Sequence, residues 1–363
     1  MSYIPILLGR NPWDYSSVYY KLRYFGSNGI FAMSQYGKSS LAKIFSLGIQ
    51  QHDPYIKQII FDYHSEWKKQ VTQYNWDSTT PMSALNPFVA SNFSFKLSDF
   101  IGDKSAFISL GFTPSGAALI AELLKYKFLY NDDPNKFGQF LNSLPTDSWS
   151  HEEFKTQYKN VDIGVINPAL QRSISQYWLE VKDYFYVPNG KYKYLNWREI
   201  LSRQNYIIID LSAETDDDLP RARFLAGKVI QRIIEKLEHK NRNEQWVIFV
   251  EEADKLCPRI DTTDLGMRRY PSSLKGFAEL SLKLQKKGLV IFFITQSFSL
   301  LPREITKTMH SQIIGRLGYG DPNYNMARKL YWDPDKNIRE FYYIDIGGTY
   351  QRFTPNVASC VVQ

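Results

Sequence analysis

Residues 32–40 read Ala-Met-Ser-Gln-Tyr-Gly-Lys-Ser-Ser, and they are the most informative stretch of this sequence. They follow an apolar pair, Ile30-Phe31, and precede the helical apolar spacing of residues 41–49. A strand, a turn that ends in Gly-Lys-Ser and a helix are the parts of a phosphate-binding P-loop. In such a loop, backbone N–H groups and the N-terminus of the helix surround the phosphate oxygens. The stretch predicts a phosphate site, and an ordinary strand–helix turn with a surface lysine is the alternative.

The residues of this loop have distinct predicted roles. Lys38 is expected to reach the β- and γ-phosphate oxygens, and the hydroxyl of Ser39 is expected to bind Mg²⁺. The other residues predicted to surround the nucleotide are Gln35, Tyr36, Gly37 and Ser40. The usual pattern begins with glycine, whereas this loop begins with Ala32. An alanine can occupy that position if its φ angle is negative.

Length, composition and charge restrict the class of protein. The 363 residues suffice for one large domain or for a core with an insertion, and 44% of them are hydrophobic. The formal net charge of +7 favours an anionic partner such as nucleic acid or nucleotide. Cys257 and Cys360 match neither a metal-ligand spacing nor a disulfide framework. Because we find no leader-like N-terminus and no apolar run of ~20 residues, we expect no membrane span and a cytoplasmic location.

A pair of acids after an apolar segment supplies the second group of candidates. Residues 245–250 read as a buried strand, and Glu251 and Glu252 follow it directly. Parallel strands deliver the residues at their ends to the carboxyl edge of the sheet. Glu251 is predicted to hold Mg²⁺ through water, and Glu252 to polarise the attacking water. Paired acids after a strand are common, but a P-loop upstream makes this pair informative.

Asp62 ends another apolar segment, residues 58–62, and it has two possible roles. Beside a P-loop, its carboxylate could order Mg²⁺-bound water or the ammonium group of Lys38. The alternative is that Asp62 caps the helix that follows it. The local sequence favours neither role over the other.

Two polar residues follow later strands of the predicted sheet. Gln296 comes after the apolar residues 288–295, where it could sense the γ-phosphate or position water. Arg316 lies near the end of the strand predicted over residues 311–317. It could contact the phosphate of a neighbouring subunit, or it could be a structural ion-pair partner.

Residues 75–200 differ from the sequence on either side because they show helical apolar spacing and no catalytic constellation. Thr113, followed by proline, is predicted to cap one of these helices. The predicted helical segments are Phe107–Tyr130, Asn135–Leu144, His151–Tyr158 and Pro168–Tyr184. We therefore predict an α/β fold in which residues 1–74 and 201–363 form a core with a mostly parallel sheet. Residues 75–200 would be a helical insertion into that core.

Two basic segments could contact DNA or simply be solvated. The helix predicted over residues 220–240 has its basic side chains away from its apolar stripe, which predicts a solvated face. These residues are Arg221, Arg232, Lys236 and Lys240. In residues 258–275, Arg268 and Arg269 lie among glycine, proline and serine, so this loop is a candidate for contacting DNA. A solvated surface loop is the more common outcome.

Several motifs, in this order, resemble those of the HerA/FtsK superfamily of DNA-pumping ATPases, in particular its archaeal HerA branch. The motifs are Gly37-Lys-Ser-Ser40, Asp62-Tyr-His-Ser-Glu66, Ile208-Ile-Asp-Leu-Ser212, Glu251-Glu-Ala-Asp254 and Ile294-Thr-Gln-Ser297. The sequence departs from the family pattern at Ala32, at Asp254 in place of histidine, and at Gln285-Lys286 in place of an Arg-Lys pair. The N-terminal β-barrel of the HerA branch is not expected in the few residues before the P-loop.

The resemblance implies a RecA-like P-loop NTPase core, ATP and Mg²⁺ as cofactors, and double-stranded DNA as the polymer on which the motor acts. It implies a homo-hexameric ring with ATP at each subunit interface, acting as a translocase or helicase-type motor. Genome packaging, conjugative transfer and repair use such motors, so a nuclease, a capsid or a secretion machine is a possible partner.

The same resemblance assigns roles to the candidate residues. The residues that would hold Mg·ATP are Lys38, Ser39 and Glu251. Glu252 would activate water and Gln296 would sense the γ-phosphate. An arginine of the neighbouring subunit, Arg316 or Arg23, would contact the transferred phosphate.

A nucleotide-binding regulatory or assembly protein with little hydrolysis is the second hypothesis. Ala32 and the missing arginine at position 285 favour it, whereas the intact Lys38, Ser39 and Glu252 oppose it. A small-molecule kinase is a weaker third hypothesis, because it would not need Gln296 at the end of a strand.

Overall fold

The structure is a computed structural model that describes residues 4–22, 26–67, 87–212, 219–239, 244–259, 272–283, 288–317, 340–344 and 350–355. The strands of these residues are β1 (Ile4–Arg10), β2 (Ser17–Leu22), β3 (Gly26–Phe31), β4 (Lys57–Asp62), β5 (Phe88–Ala90), β6 (Phe93–Ser94), β7 (Lys193–Tyr194), β8 (Tyr206–Asp210), β9 (Trp246–Val250), β10 (Leu289–Thr295), β11 (Met309–Ile314), β12 (Phe341–Ile344) and β13 (Tyr350–Pro355).

The described residues also form α-helices, the first of which begins within the P-loop. They are α1 (Lys38–His52), α2 (Lys104–Ser109), α3 (Pro114–Leu123), α4 (Lys127–Tyr130), α5 (Pro134–Asn142), α6 (Ser148–Gln157), α7 (Pro168–Val181), α8 (Trp197–Arg203), α9 (Leu219–Glu238), α10 (Ala253–Leu256), α11 (Ser272–Lys283) and α12 (Arg303–Thr306). Short 3₁₀ turns cover Leu97–Phe100, Lys182–Tyr184 and Phe298–Leu300. Among the described helices, none combines the length and the apolar composition that crossing a membrane requires.

The main sheet has the order β2-β1-β13-β12-β11-β3-β10-β9-β4-β8-β5 within the described residues. Neighbouring strands run parallel from β11 to β5, and antiparallel from β2 to β11. The predicted α/β fold with a mostly parallel sheet is therefore confirmed at the centre of the molecule. β3, which leads into the P-loop, lies between β10 and β11.

The central strands are buried along their whole length because both faces of the sheet are covered. Every residue of β4, β9 and β10 is buried. In β4, Ile59 and Phe61 pack into one hydrophobic cluster, whereas Ile60 packs into the other. This alternation follows from the two-residue period of a strand. Continuous apolar runs such as Trp246–Val250 are what a strand buried on both faces requires.

Helices follow β6, as the sequence predicts, but one of the predicted helical segments is divided. The segment Phe107–Tyr130 is divided among α2, α3 and α4. Gly111 has a φ angle of +107°, which ends the first helical segment, and Pro114 then starts α3. The side chain of Thr113 accepts a hydrogen bond from the backbone N–H of Gly116, so the predicted cap is confirmed.

The helical block is continuous with the sheet in two ways. β5, at Phe88–Ala90, lies within the predicted insertion, yet it pairs with β8 and belongs to the main sheet. The side chains of the block pack in the same hydrophobic cluster as one face of the sheet. For example, the ring of Phe100 stacks on that of Phe224 in α9, with 4.7 Å between centroids. The boundary predicted at residue 75 therefore does not separate sheet from helices, and the division into domains stays a prediction.

The interpretation of the α9 basic residues as a solvated face is wrong for Arg221. Its side chain is buried, with the guanidinium carbon 3.8 Å from the centroid of the Tyr192 ring. The guanidinium donates a hydrogen bond of 2.9 Å to the carbonyl oxygen of Phe93. Arg232 pairs with Asp99 at 3.0 Å. The helical block covers this side of α9, so these cations bind the block instead of water.

Lys228 of α9 provides a test of this buried contact. Its ammonium group lies 3.1 Å from the carboxylate of Asp103, and its side chain is 3% exposed. Burial lowers the pKa of Lys228, and Asp103 opposes that shift. We expect Asp103→Asn to lower the free energy of unfolding by about 3 kcal/mol at pH 7, because a buried ammonium loses its counter-charge. Urea denaturation measures this difference.

The pH dependence gives the sign of the effect. Without Asp103 the pKa of Lys228 falls further in the folded state, while the unfolded chain keeps an ordinary lysine pKa. Asp103→Asn loses the full amount of stability while Lys228 is protonated in both the folded and the unfolded state. The loss shrinks as the pH rises through the lowered pKa of Lys228 in the folded state. Glu122→Gln, which breaks the exposed pair with Lys125, should change nothing measurable. A loss in Asp103→Asn that did not shrink with rising pH would contradict this account.

Candidate functional site

The P-loop adopts a conformation that requires glycine at position 37. Gly37 has φ +94° and ψ 23°, in the left-handed region, and α1 begins at the next residue. A side-chain carbon at Gly37 would meet nothing within 4 Å, so backbone conformation, and not contact, imposes the glycine. Ala32 is buried and is not among the described residues with positive φ. The condition for alanine at the first loop position is therefore met.

Tyr36 anchors the loop to the antiparallel part of the sheet. Its hydroxyl donates to the carbonyl oxygen of Glu340 at 3.0 Å and accepts from the N–H of the same residue at 3.1 Å. The ring lies 5.3 Å from that of Phe341 and packs over Gly315. Burial raises the pKa of Tyr36. The side chain of Tyr36 is therefore a structural anchor, and a contact with nucleotide would involve its backbone.

Lys38 is buried at the start of α1, where its side chain binds the backbone of the loop. Its ammonium group donates a hydrogen bond of 3.1 Å to the carbonyl oxygen of Met33. Burial lowers the pKa of Lys38, and the charges of Glu252 and then Glu251 oppose the shift. The charge of the predicted phosphate-binding cation therefore interacts with the charges of both predicted acids.

Ser39 and Glu251, the two predicted metal ligands, are in direct contact. The Ser39 hydroxyl donates to the Oε2 atom of Glu251 at 3.1 Å. Glu251 is buried at the end of β9, and its backbone N–H donates to the carbonyl oxygen of Phe61 at 3.0 Å. Burial raises the pKa of Glu251 to about 7, and a hydrogen bond from Trp67 opposes that shift. A hydroxyl and a carboxylate are the oxygen ligands that Mg²⁺ prefers.

Glu252 has a backbone conformation that is rare for a residue with a side chain. Its φ of +44° and ψ of 52° lie in the left-handed region, just before α10. Non-glycine residues in this region cluster at functional sites, where surrounding structure holds them. Burial raises the pKa of Glu252, Asp254 raises it further, and Lys38 and His64 oppose the shift. Its carboxylate lies 3.9 Å from the imidazole of His64.

Asp62 caps the turn that follows β4. One carboxylate oxygen accepts from the backbone N–H of Glu66 at 3.2 Å, and the other accepts from that of Trp67 at 2.9 Å. Burial raises the pKa of Asp62, and the bond from Trp67 opposes the shift. Of the two roles left open by the sequence, the structure supports the cap.

Arg316 and Gln296 lie at the ends of the strands that flank β3. The carbonyl oxygen of Arg316 accepts from the N–H of Met33 at 2.7 Å, so its backbone touches its own P-loop. Gln296 directly follows β10 and is exposed. The hydroxyl of the preceding residue, Thr295, donates to the carboxylate of Asp254. Asp254 thus joins the two strand ends that carry Glu252 and Gln296.

The remaining predicted residues are less informative. In the loop, Gln35 is exposed with a φ angle of +61°, and Ser40 is partly buried in the first turn of α1. Other residues named in the sequence analysis lie outside the described part of the chain, namely Arg23, Lys240, Arg268, Arg269, Gln285, Lys286 and Cys360.

Two residues of this site carry no signal in the sequence. The indole N–H of Trp67 donates to the Oε1 atom of Glu251 at 2.9 Å. Lys43 is buried in α1, and its ammonium group lies 5.6 Å from the centroid of the Trp67 ring. In the sequence, Lys43 stands among apolar residues of the helix, and this position is the only indication that its charge has a role inside the protein. Trp67 follows the quoted Asp62–Glu66 motif by one position and belongs to no pattern.

Comparison with known proteins supports the fold. No family model matches the sequence, and no curated protein matches it. The structure is similar to that of VirB4 of Thermoanaerobacter pseudethanolicus, with TM-score 0.64, 15% identity, and 97% of this chain and 96% of that chain covered. It is also similar to a sulphate complex of the bacterial conjugative coupling protein TrwB, with TM-score 0.56, 13% identity, and 90% and 78% covered.

A second structure of TrwB, a plasmid coupling protein, was solved with the non-hydrolysable GTP analogue GDPNP. It aligns with TM-score 0.54 and 14% identity, covering 90% of this chain and 78% of that chain. These likenesses confirm the RecA-like P-loop NTPase fold expected from the resemblance. At such identities they show the fold alone.

The anchoring role of Tyr36 is testable by removing one oxygen atom. Tyr36→Phe keeps the ring against Phe341 but leaves the buried backbone N–H and carbonyl of Glu340 without their partner. We expect the free energy of unfolding to fall by about 2 kcal/mol, the usual effect of unsatisfied buried polar groups. Urea denaturation measures it, with Tyr15→Phe on an exposed turn as the control. Equal stability of Tyr36→Phe and wild type would contradict the role.

Proposed function

We propose that this chain is an ATP hydrolase that acts on double-stranded DNA. It would work as a translocase or helicase-type motor in a homo-hexameric ring. One arrangement carries the proposal: the Ser39 hydroxyl contacts Glu251, and Glu252 follows at the same sheet edge, where its charge interacts with that of Lys38. These are the groups that hold Mg·ATP and activate water in P-loop ATPases. The resemblance of the motifs to the HerA/FtsK superfamily supports the same conclusion.

The described residues fit ATP and Mg²⁺. Lys38 is a buried cation at the start of α1, and the space beside Gly37 is open. The hydroxyl of Ser39 and the carboxylate of Glu251, both oxygen ligands, lie within hydrogen-bond distance of each other. When bound, Mg²⁺ offsets the negative charge of the phosphates. Ser39 and Glu251 would hold it, and Lys38 would contact the β- and γ-phosphate oxygens.

Glu252 is the proposed general base. It directly follows the proposed metal ligand Glu251, and its carboxylate lies 3.9 Å from the imidazole of His64. The carboxylate would accept a proton from the attacking water, and Lys38 and His64 would stabilise its charged form. Gln296, exposed after β10, is proposed to sense the γ-phosphate.

DNA is the proposed polymer because the chain is basic and a conjugative coupling protein shares its fold. The net charge of +7 favours phosphate contacts that read no sequence. TrwB is described as a conjugative coupling protein, which makes conjugative transfer, with a secretion machine as partner, the leading process. Packaging into a capsid and repair with a nuclease are the other processes that use such a motor. A cytoplasmic location stays a prediction.

A nucleotide-binding regulatory protein with little hydrolysis is the second candidate. Ala32 favours it because it departs from the usual glycine. Ala32 is buried and its φ angle is not positive, so the loop accommodates its methyl group. This weakens the argument from Ala32 for a protein with little hydrolysis. ATP hydrolysis measured with and without duplex DNA separates the two candidates. A motor is expected to hydrolyse ATP faster with DNA, whereas a regulator would bind nucleotide without turnover.

Substitution of the acids should separate binding from chemistry. Glu252→Gln keeps the size and hydrogen bonding of the side chain but cannot accept a proton. We expect ATP to bind normally and hydrolysis to fall by ~10²–10⁴-fold. Lys38→Ala, in contrast, should abolish nucleotide binding while leaving the fold intact. Binding is measured by calorimetry and turnover by phosphate release. An unchanged rate in Glu252→Gln would move the base to another acid, Asp254 first.

The role of Arg316 is tested by mixing inactive subunits. If Arg316 contacts the phosphate of a neighbouring subunit, rings mixed from Arg316→Ala and Glu252→Gln subunits contain some interfaces with both groups intact. Such rings should recover part of the ATPase activity. No recovery in confirmed mixed rings would favour a contact in the same subunit, which the position of Arg316 beside its own Met33 allows. A protein that stays monomeric with ATP and DNA would contradict the ring.

A further inference from the structure

Trp67 joins three elements of the site through separate contacts. Its side chain is buried, with 1% exposed. Its backbone N–H donates to Asp62 at the end of β4, and its indole N–H donates to the Oε1 atom of Glu251 at 2.9 Å. The ring lies 5.6 Å from the Phe249 ring in β9 and 5.6 Å from the ammonium group of Lys43 in α1. These contacts hold Trp67 in place beside Glu251.

The two oxygens of Glu251 are held by different donors. Oε1 accepts from the indole of Trp67 at 2.9 Å, and Oε2 accepts from the hydroxyl of Ser39 at 3.1 Å. A rotation of the carboxylate about its last bond would break both bonds. Because the indole occupies Oε1, the carboxylate presents Oε2 to the first turn of α1. The orientation of this carboxylate therefore depends on the indole N–H of Trp67 together with the hydroxyl of Ser39.

We infer that Trp67 is a positioning residue for the metal-binding carboxylate of Glu251. This inference rests on the proposed function, in which Ser39 and Glu251 hold Mg²⁺ with the nucleotide. Side chains that orient metal ligands change metal affinity by ~10–100-fold when they are replaced. Trp67 touches neither metal nor nucleotide in this role. It acts through Glu251, by keeping one oxygen engaged and the other turned toward Ser39.

A packing role alone would have a different signature. Buried indoles generally find an acceptor for their N–H, and a fully buried tryptophan of β9 does so too. The indole of Trp246 donates to Glu244 at 3.2 Å, at the start of the strand whose end carries Glu251. Both tryptophans are buried, and both donate to a glutamate, but only the partner of Trp67 contacts the P-loop. Trp246 is therefore a matched control.

The test compares nucleotide binding in Trp67→Phe and Trp246→Phe, using the full chain. The probe is an N-methylanthraniloyl derivative of a non-hydrolysable ATP analogue, whose fluorescence reports binding. Its Kd is measured in EDTA, and then the Mg²⁺ concentration that gives half of the Mg²⁺-dependent gain in affinity is determined. For Trp67→Phe we expect that concentration to rise ~10–100-fold, with the Kd in EDTA unchanged. For Trp246→Phe we expect both quantities to match the wild type.

The outcomes separate this inference from the proposed function. If the wild type binds the probe in a Mg²⁺-dependent way and Trp67→Phe has the same Mg²⁺ dependence, the positioning role is wrong and the proposed function stands. Equal changes of the required Mg²⁺ concentration in Trp67→Phe and Trp246→Phe would likewise show that Trp67 contributes packing only. If the wild type shows no Mg²⁺-dependent binding, the proposed function fails, and the role of Trp67 fails with it.

A second replacement removes the N–H without creating a cavity. Benzothienylalanine, introduced at position 67 through a reassigned codon, has sulfur in place of the indole N–H and nearly the same shape. It keeps the contacts with Phe249 and Lys43, so it should fold even where Trp67→Phe does not. We expect the same rise in the required Mg²⁺ concentration. A wild-type Mg²⁺ dependence in this variant would overturn the inference.

Discussion

The site depends on a carboxylate that is buried and still hydrogen-bonded. Glu251 directly follows a strand that is buried along its whole length, and an unpartnered charge in such a place would be strongly unfavourable. Ser39 and Trp67 each donate a hydrogen bond to it. These donors come from α1 and from the turn after β4, so α1, β4 and β9 must be correctly aligned for the carboxylate to be satisfied. The parallel register that pairs Phe61 with Val250 supplies that alignment.

The P-loop is held from its other side by the antiparallel part of the sheet. Tyr36 reaches from the loop to the backbone of Glu340, whose carboxylate pairs with Arg352 of β13. The guanidinium of Arg352 in turn lies 4.9 Å from the centroid of the exposed Trp13 ring, in the turn between β1 and β2. A continuous set of contacts therefore links the nucleotide loop to the surface at the edge of the sheet. The strands beyond β11 support the loop as well as extending the sheet.

The helical block resembles an insertion in sequence but shares its core with the sheet. Lys228 and Arg221 of α9 are buried beneath it and bind Asp103 and Phe93 of the block. Buried cations with partners tie two segments together more specifically than apolar contacts do, because displacement of either segment leaves a charge without its partner. The same core contains Phe100 of the block and Phe224 of α9. The block therefore stabilises the face of the sheet that it covers.

Much of the site is predictable from local sequence because its residues stand at fixed places in local patterns. The glycine, lysine and serine of residues 37–39 could be placed because a P-loop has a fixed order of residue types. The acids after β9 could be placed because a buried strand brings the residues at its end to the edge of the sheet. The parallel centre of the sheet could be predicted from continuous apolar runs. The cap at Thr113 could also be predicted, since it depends on residues three apart.

The tertiary structure alone decided what each side chain meets. For Asp62 the sequence left open a contact with Mg²⁺-bound water or Lys38 and a cap, and only the structure shows that its carboxylate accepts hydrogen bonds from the N–H groups of Glu66 and Trp67. Arg221 looked solvated on an isolated helix and is buried because a distant segment covers α9. Trp67 and Tyr36 bind residues far away in sequence, Glu251 and Glu340. Local patterns determine which groups reach an edge of the sheet, whereas contacts between segments distant in sequence determine their partners.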